Sequence, residues 1–315
     1  MNIAFLFPGQ GAQYPGMGRD FHESSPAVRE IFQEASDAAG FDVADVTFNG
    51  PEERLSSTDV TQLAMTATSL AAATVLAERG IYPDLCAGFS VGEYAALVAA
   101  GVIARSDVFR VVLERGRLTE AASRAHDGEA GKAGMAAVMG LSFTEVANVC
   151  SALSDVYPAL HNSPVQTVIA GTADGLSAAE GPLKEAGARR FIPLKVSGPF
   201  HSPLLQSAAD RFGAVLDSVA FSDPRMPVMS NVTGEVVETG AEWKNLCVRQ
   251  LVSPVQWVSV ELSILHQRPE ILLECGAGTV LAGNWRALAK TESAAAAFDV
   301  RAAGTLADAR EFSAP

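Results

Sequence analysis

The stretch Ala87-Gly88-Phe89-Ser90-Val91-Gly92-Glu93 constrains the fold of this chain more than any other. A short apolar run, Leu85-Cys86-Ala87, precedes it. An apolar segment, Tyr94 to Ala100, follows and ends at Gly101. The layout is strand, sharp turn, helix, with a serine between two glycines: the G-x-S-x-G nucleophile elbow. A turn this tight leaves no room for side chains on its flanks, so both flanks are glycine. The serine is pushed out at a helix N-terminus, where free N–H groups and the positive dipole end favour an oxyanion. The same residues admit a plainer reading. Ser90-Val91-Gly92-Glu93 fits S-x-x-E, a capping box at the start of a helix. A cap accounts for Ser90 and Glu93 but not for Gly88 and Gly92, because glycine near the front of a helix costs stability.

The segments around the elbow keep the alternation it begins. Ile3 to Phe7 reads as a buried first strand. Its flank lacks the basic residues of a signal peptide. Val28–Ala39, Val60–Arg79, Val91–Ala100 and Ser106–Ser123 read as helices, with the elbow strand at Leu85–Gly88. Strand alternating with helix implies a parallel sheet covered on both faces. The pattern changes at the polar, Gly-rich connector Ala125 to Gly131. A strand (Met135–Met139), a helix (Phe143–Leu153), two strands (Val156–His161, Gln166–Ala170), a helix (Leu176–Ala186) and a strand (Arg190–Val196) follow. That βαββαβ order predicts a small ferredoxin-like insert. The main domain resumes with a helix (Leu204–Val219) and strands at Val228–Ser230 and Ile271–Glu274. The expected division is a core of residues 1–125 and 198–315 and a subdomain of residues 126–197.

Composition excludes several classes. With 315 residues and 48% hydrophobic side chains the chain can bury a large core, which argues against disorder. Its apolar runs break well short of about 18 residues, so no membrane span is expected. A net charge of −13 argues against nonspecific nucleic-acid binding. Cys86, Cys150, Cys247 and Cys275 are widely spaced and form no C-x-x-C. Neither disulfides nor a zinc site are expected, and a cytoplasmic setting fits.

Arg115 stands out by periodicity. Val108, Val111, Val112 and Leu118 form one helical stripe, and Arg115 falls in its middle, while Arg110 and Arg117 face the other way. A cation on an inward face needs an anion. The anion is either an internal carboxylate or the carboxylate of a substrate held bidentately.

Five segments in one order carry a resemblance. They are Phe7-Pro8-Gly9-Gln10-Gly11-Ala12-Gln13, the elbow, Arg115-Gly116, Gly198-Pro199-Phe200-His201-Ser202 and Pro254-Val255-Gln256-Trp257. Together they resemble the malonyl-CoA:acyl-carrier-protein transacylases and the acyltransferase domains of polyketide and fatty acid synthases, from Ile3 to about Ala307. The resemblance implies an α/β-hydrolase-like core with a ferredoxin-like subdomain. It implies malonyl transfer from CoA to an acyl carrier protein through an ester on Ser90, with no bound cofactor or metal. His201 is then the general base, oriented by the backbone carbonyl of Gln250 rather than by an acid, which makes a dyad. The N–H groups of Gln10 and Val91 form the oxyanion hole, Val91 being the residue after the nucleophile. Arg115 takes the malonyl carboxylate. Phe200 limits branching at the acyl α-carbon, and Gln62 and Asn162 are supporting polar residues. Two departures are visible: Phe89 stands where the family usually has His, and Gly276-Ala277-Gly278 replaces a more usual Gly-Pro-Gly.

The family's carrier proteins are acidic, and so is this chain, so docking needs a local basic patch. Lys184, Arg189, Arg190 and Lys195 supply one, opposed in sequence only by Glu185. They also fit a solvated helix end. Within the same fold, a polyketide synthase acyltransferase acting in trans, a malonate decarboxylase malonyltransferase subunit and an acyl-carrier-protein acyl hydrolase are the alternatives.

Overall fold

A computed structural model describes residues 2–312. Five strands form a parallel sheet in the order β7-β2-β1-β8-β9, namely Val228–Met229, Leu85–Gly88, Ile3–Phe7, Ile271–Glu274 and Val300–Ala302. Every residue of β1 and β2 is buried, as expected for central strands with helices on both faces. The register sets Phe7 beside Gly88. The turns that leave β1 and β2 therefore emerge together at the C-terminal edge of the sheet, where open α/β sheets bind ligands.

Glycine is required at this edge. A Cβ on Gly88 would lie 2.1 Å from the carbonyl oxygen of Gly92. One on Gly92 would lie 2.2 Å from that of Phe7. The elbow thus folds onto itself and onto the end of β1, as the spacing predicts.

The helix Thr58–Glu78 is apolar enough and, at 21 residues, long enough to cross a membrane by composition alone, so the expectation that apolar runs break well short of about 18 residues fails here: Val60 to Ala77 carries no charge, glycine or proline. It is a core helix, with 83% of its most apolar window buried. Against it packs the helix Arg105–Arg124. A Cβ on Gly116 would come within 3.0 Å of Asp59 Cα and of the Thr58 carbonyl, which is the close approach that lets these helices touch.

The second sheet is antiparallel, in the order β4-β5-β3-β6: Val156–Ser163, Gln166–Gly171, Gly134–Met139 and Arg190–Pro193. With helices Phe143–Ser151 and Ala173–Glu185 this is the expected ferredoxin-like arrangement. Side chains alternate across it. Ala136, Val138 and Ile169 face the two helices. Met135, Ala137, Val168 and Ala170 face the other way, towards Leu194, Val196 and Phe200. Bonds between His161 N and Val255 O and between Val255 N and Ala159 O, both 2.9 Å, tie β4 to the core.

Several details differ from expectation. The strand β6 stops at Pro193 rather than Val196, and the helix expected from Leu204 is a 3-10 turn followed by a helix at Gln206–Leu216. The helices Gly240–Gln250, Trp257–His266 and Val280–Leu288 and the strand β9 were not expected. All four cysteines are free and buried.

Candidate active site

Ser90 has φ 52°, in the left-handed region that non-glycine side chains avoid. Such strain persists where the surroundings over-determine it. Here Asn231 does so. Its Oδ1 accepts from Ser90 N at 2.6 Å and its Nδ2 donates to Gly88 O at 2.6 Å. The capping-box reading fails. Ser90 Oγ lies 2.7 Å from His201 Nε2, and Glu93, fully buried, accepts from Asn231 N at 2.7 Å and from Gln250 Nε2.

His201 also has a positive φ, 57°. Its Nδ1 donates to the Gln250 carbonyl at 2.8 Å. That bond fixes the tautomer and leaves Nε2 as the acceptor facing the serine hydroxyl. Burial, reinforced by the Arg115 charge, lowers the His201 pKa to about 3 against the pull of the Gln250 and Ser253 carbonyls. The imidazole is therefore neutral at ordinary pH, as a base must be.

Arg115 is only 4% exposed. Its Nη2 donates to Gln250 Oε1 at 2.9 Å and lies 3.4 Å from Ser90 Oγ, with the guanidinium 5.6 Å from the Tyr94 ring centre. Its Nε has no partner. Among the described residues no ion pair forms with Arg115. Of the two anions the sequence left open, the internal salt bridge is absent. Glu93, the nearest buried acid in this network, reaches Arg115 only through the Gln250 carboxamide. Burial raises the Glu93 carboxyl to about 8, opposed by its bond from Asn231, the Arg115 charge and the bond from Gln250.

These groups open into a cavity of about 390 Å³ between the two sheets. Its apolar wall is the free face of the antiparallel sheet, with Met135, Ala137 and Val168. Gln10, Gln62, Phe89, Asn162, Phe200 and Lys195 also line it. Phe89 packs edge-on against Trp257, ring centres 5.2 Å apart. Gln62 Oε1 and Asn162 Oδ1 are buried without partners, so both have capacity to spare for a ligand. Among the described residues the N–H groups of Gln10 and Val91 enter no hydrogen bond. Gly9 lets the first turn press on the elbow, since a Cβ there would sit 2.5 Å from the Phe89 carbonyl.

The four basic residues occupy different settings. Lys195 lines the cavity. Lys184 pairs with Glu180 at 2.6 Å on the insert, and Arg189 and Arg190 are exposed around the start of β6. Sequence reasoning missed Asn231, the side-chain roles of Glu93 and Gln250, and Asn284, whose Nδ2 is a further unpartnered group among the cavity residues. Only Glu93 carries a local signal, the capping-box spacing that the sequence offers as the plainer alternative.

Chemically, the site offers a hydroxyl nucleophile, a neutral base on it, two free N–H donors beside it and a buried cation with no carboxylate on it. The set suits capture of an acyl group that itself carries an anion.

Residues 4–309 match the family model described as acyl transferase domain. The malonyl CoA-acyl carrier protein transacylase of Bacillus subtilis is 39% identical over 285 residues, 89% of this chain and 88% of that protein. The solved malonyl CoA-acyl carrier protein transacylase of Coxiella burnetii superposes with a TM-score of 0.91 at 32% identity, covering 99% of this chain and 96% of that one. A malonyl-transacylase solved in complex with its type II PKS acyl-carrier protein gives 0.90 at 36% identity, covering 98% of each chain.

Proposed function

The chain belongs to the acyl transferase family, and on that premise we propose that it moves a malonyl group from malonyl-CoA to the phosphopantetheine thiol of an acyl carrier protein. The observation that carries the reading is Arg115: a buried guanidinium, unpaired by any carboxylate, whose Nη2 lies 3.4 Å from the nucleophile oxygen. An acyl group on Ser90 with its own carboxylate supplies the missing anion.

The reaction runs in two halves. Ser90 Oγ attacks the thioester carbonyl while His201 Nε2 takes the hydroxyl proton. The oxyanion is held by the N–H groups of Gln10 and Val91, each worth about 3 kcal/mol in the transition state. Collapse breaks the C–S bond. The His201 proton goes to the departing CoA thiolate, leaving malonyl as an ester on Ser90. The carrier thiol then gives its proton to Nε2 and attacks the ester, and the proton returns to Ser90 Oγ. Because CoA leaves before the carrier thiol attacks, the kinetics are ping-pong. Phe200 and Phe89 form walls around the acyl group, and Gln62 and Asn162 contribute polar contacts. The basic side chains on the insert meet the acidic carrier. The likeness to a transacylase bound to a type II PKS carrier favours, as a second reading, the same chemistry in polyketide synthesis.

Intact-protein mass spectrometry after mixing with malonyl-, methylmalonyl- or acetyl-CoA tests this. The protein should gain a single malonyl group in preference to the other two, and Ser90→Ala should gain none. Uptake by the alanine variant, or equal uptake of all three acyl groups, refutes the assignment.

A further inference from the structure

A carboxamide has two ends of nearly equal shape and opposite polarity, so its orientation is set only by what each end faces. Gln250 is such a group, and it is fully buried. Its Oε1 faces Arg115, which can only donate. Its Nε2 faces Glu93 Oε2, and it also donates to the Ser90 carbonyl at 3.2 Å. The other carboxyl oxygen of Glu93 accepts from the backbone N–H of Asn231. That N–H cannot turn round, and Asn231 is the residue that holds the strained Ser90. Both oxygens of the ionised Glu93 therefore act as acceptors, one towards the elbow and one towards Gln250; because burial lifts this carboxyl to about 8, the arrangement is complete above that pH.

We infer that Glu93 is a positioning residue for carboxylate recognition: it fixes which end of Gln250 faces Arg115 and so holds the guanidinium without occupying it. A carboxylate placed directly on Arg115 would fill the fork that a malonyl carboxylate needs. An amide between them orients the guanidinium through one Nη2 hydrogen bond and leaves Nε unpartnered. The inference rests on the proposed malonyl transfer and adds to it the origin of the preference for an anionic acyl group.

The substitution Glu93→Gln reads the effect directly. Its single oxygen is claimed by the immovable Asn231 N–H, so its amide nitrogen turns to Gln250. Gln250 must then flip, which points its Nε2 at Arg115 and opposes two donors. The assay is self-acylation of the full chain above pH 8, where Glu93 is ionised, with kcat/KM for malonyl-CoA and for acetyl-CoA compared. The expected result is a fall of about tenfold in the malonyl-to-acetyl ratio, the size of one misdirected hydrogen bond to a charged group, chiefly through KM for malonyl-CoA. The exchange variant, Glu93→Gln with Gln250→Glu, restores complementary hydrogen bonding and carries the test if the single variant does not fold. It should fold and still lose the preference, because its new carboxylate sits on Arg115. A parental ratio in either folded variant overturns the inference, as does an equal loss for both substrates, which marks a role in elbow structure alone. A parent chain that is malonyl-selective with unchanged variants leaves the proposed function standing. A parent chain that takes no malonyl group removes both.

Discussion

Replacing Gly92 with alanine should damage catalysis more than stability. The added Cβ would meet only backbone: Phe7 O at 2.2 Å, Pro8 O at 2.7 Å and Phe7 C at 2.8 Å. Ordinary contact begins at 3.4 Å, so the end of β1 must retreat by roughly 1 Å, with a strain of about 1–3 kcal/mol. Removing a glycine from the first turn of the helix Gly92–Ala99 returns up to about 1 kcal/mol. The net loss of stability is then about 0–3 kcal/mol. The displaced segment, however, runs on through Pro8 and Gly9 to Gln10, whose N–H is one of the two proposed oxyanion donors. A misplacement of about 1 Å costs on the order of 100-fold in rate, and complete loss of one such donor costs about 100–1,000-fold. Single-turnover acylation by malonyl-CoA, beside thermal melts, separates the two effects. The expectation is about a 100-fold slower acylation with a melting temperature only a few degrees lower. Gly283→Ala is the control. Its Cβ would meet nothing within 4 Å, so it should melt no lower than the parent. If Gly92→Ala acylates at the parental rate while melting far lower, the coupling between elbow and oxyanion donor is wrong.

Three further outcomes can be measured. Arg115→Ala should lower the ratio of kcat/KM for malonyl- over acetyl-CoA by more than about tenfold, because truncating a buried charge pair costs about 2–5 kcal/mol. A constant ratio with a lower melting temperature would mean that the guanidinium only braces the fold. Reversing the exposed charges with Arg189→Glu and Arg190→Glu should raise KM for the carrier protein, leave self-acylation unchanged and lose its effect as salt rises. An equal loss in both half-reactions would contradict a docking role. His201 has its pKa lowered from 6.5 to about 3, first by burial and then by Arg115, so the acylation rate should show no acid limb near pH 6.5. The unfolded chain takes up that proton and the folded one does not. The stability tied to this imidazole is thus present above pH 6.5 and lost as pH falls from there towards 3. A rate midpoint near 6.5 in the folded enzyme would refute the buried, neutral base.

The sequence made legible those parts of the molecule whose cause is local. The elbow glycines announce a turn, and the short apolar run Met135 to Met139 announces a buried strand. The position of Arg115 within a stripe announces a buried cation. What stayed hidden depends on approach between distant segments. Asn231 lies in Ser230-Asn231-Val232-Thr233-Gly234, which reads as an ordinary turn, yet it bonds to Ser90 across 141 positions. Glu93 carried a local signal that pointed the wrong way. The spacing of a capping box was present, but the tertiary partners on both sides outcompeted the helix end for its oxygens. The helix Trp257–His266 begins without a side-chain cap, so no capping residue announces it in the sequence.

The cavity has two owners. The proposed nucleophile, base and oxyanion donors and Arg115 all belong to the segments around the parallel sheet. The wall made by Met135, Ala137, Leu160, Asn162, Gln166 and Val168 belongs to the inserted sheet. Recognition of the acyl carboxylate thus stays with the reacting groups, while much of the apolar wall is encoded in a separate stretch of the gene. Drift in the insert can reshape which acyl chain fits without touching the reacting atoms. A chimera that grafts another family member's insert at the connectors near 126 and 197 should keep this chain's reactivity and its preference for an anionic acyl group, and change only the room left beside the inserted sheet.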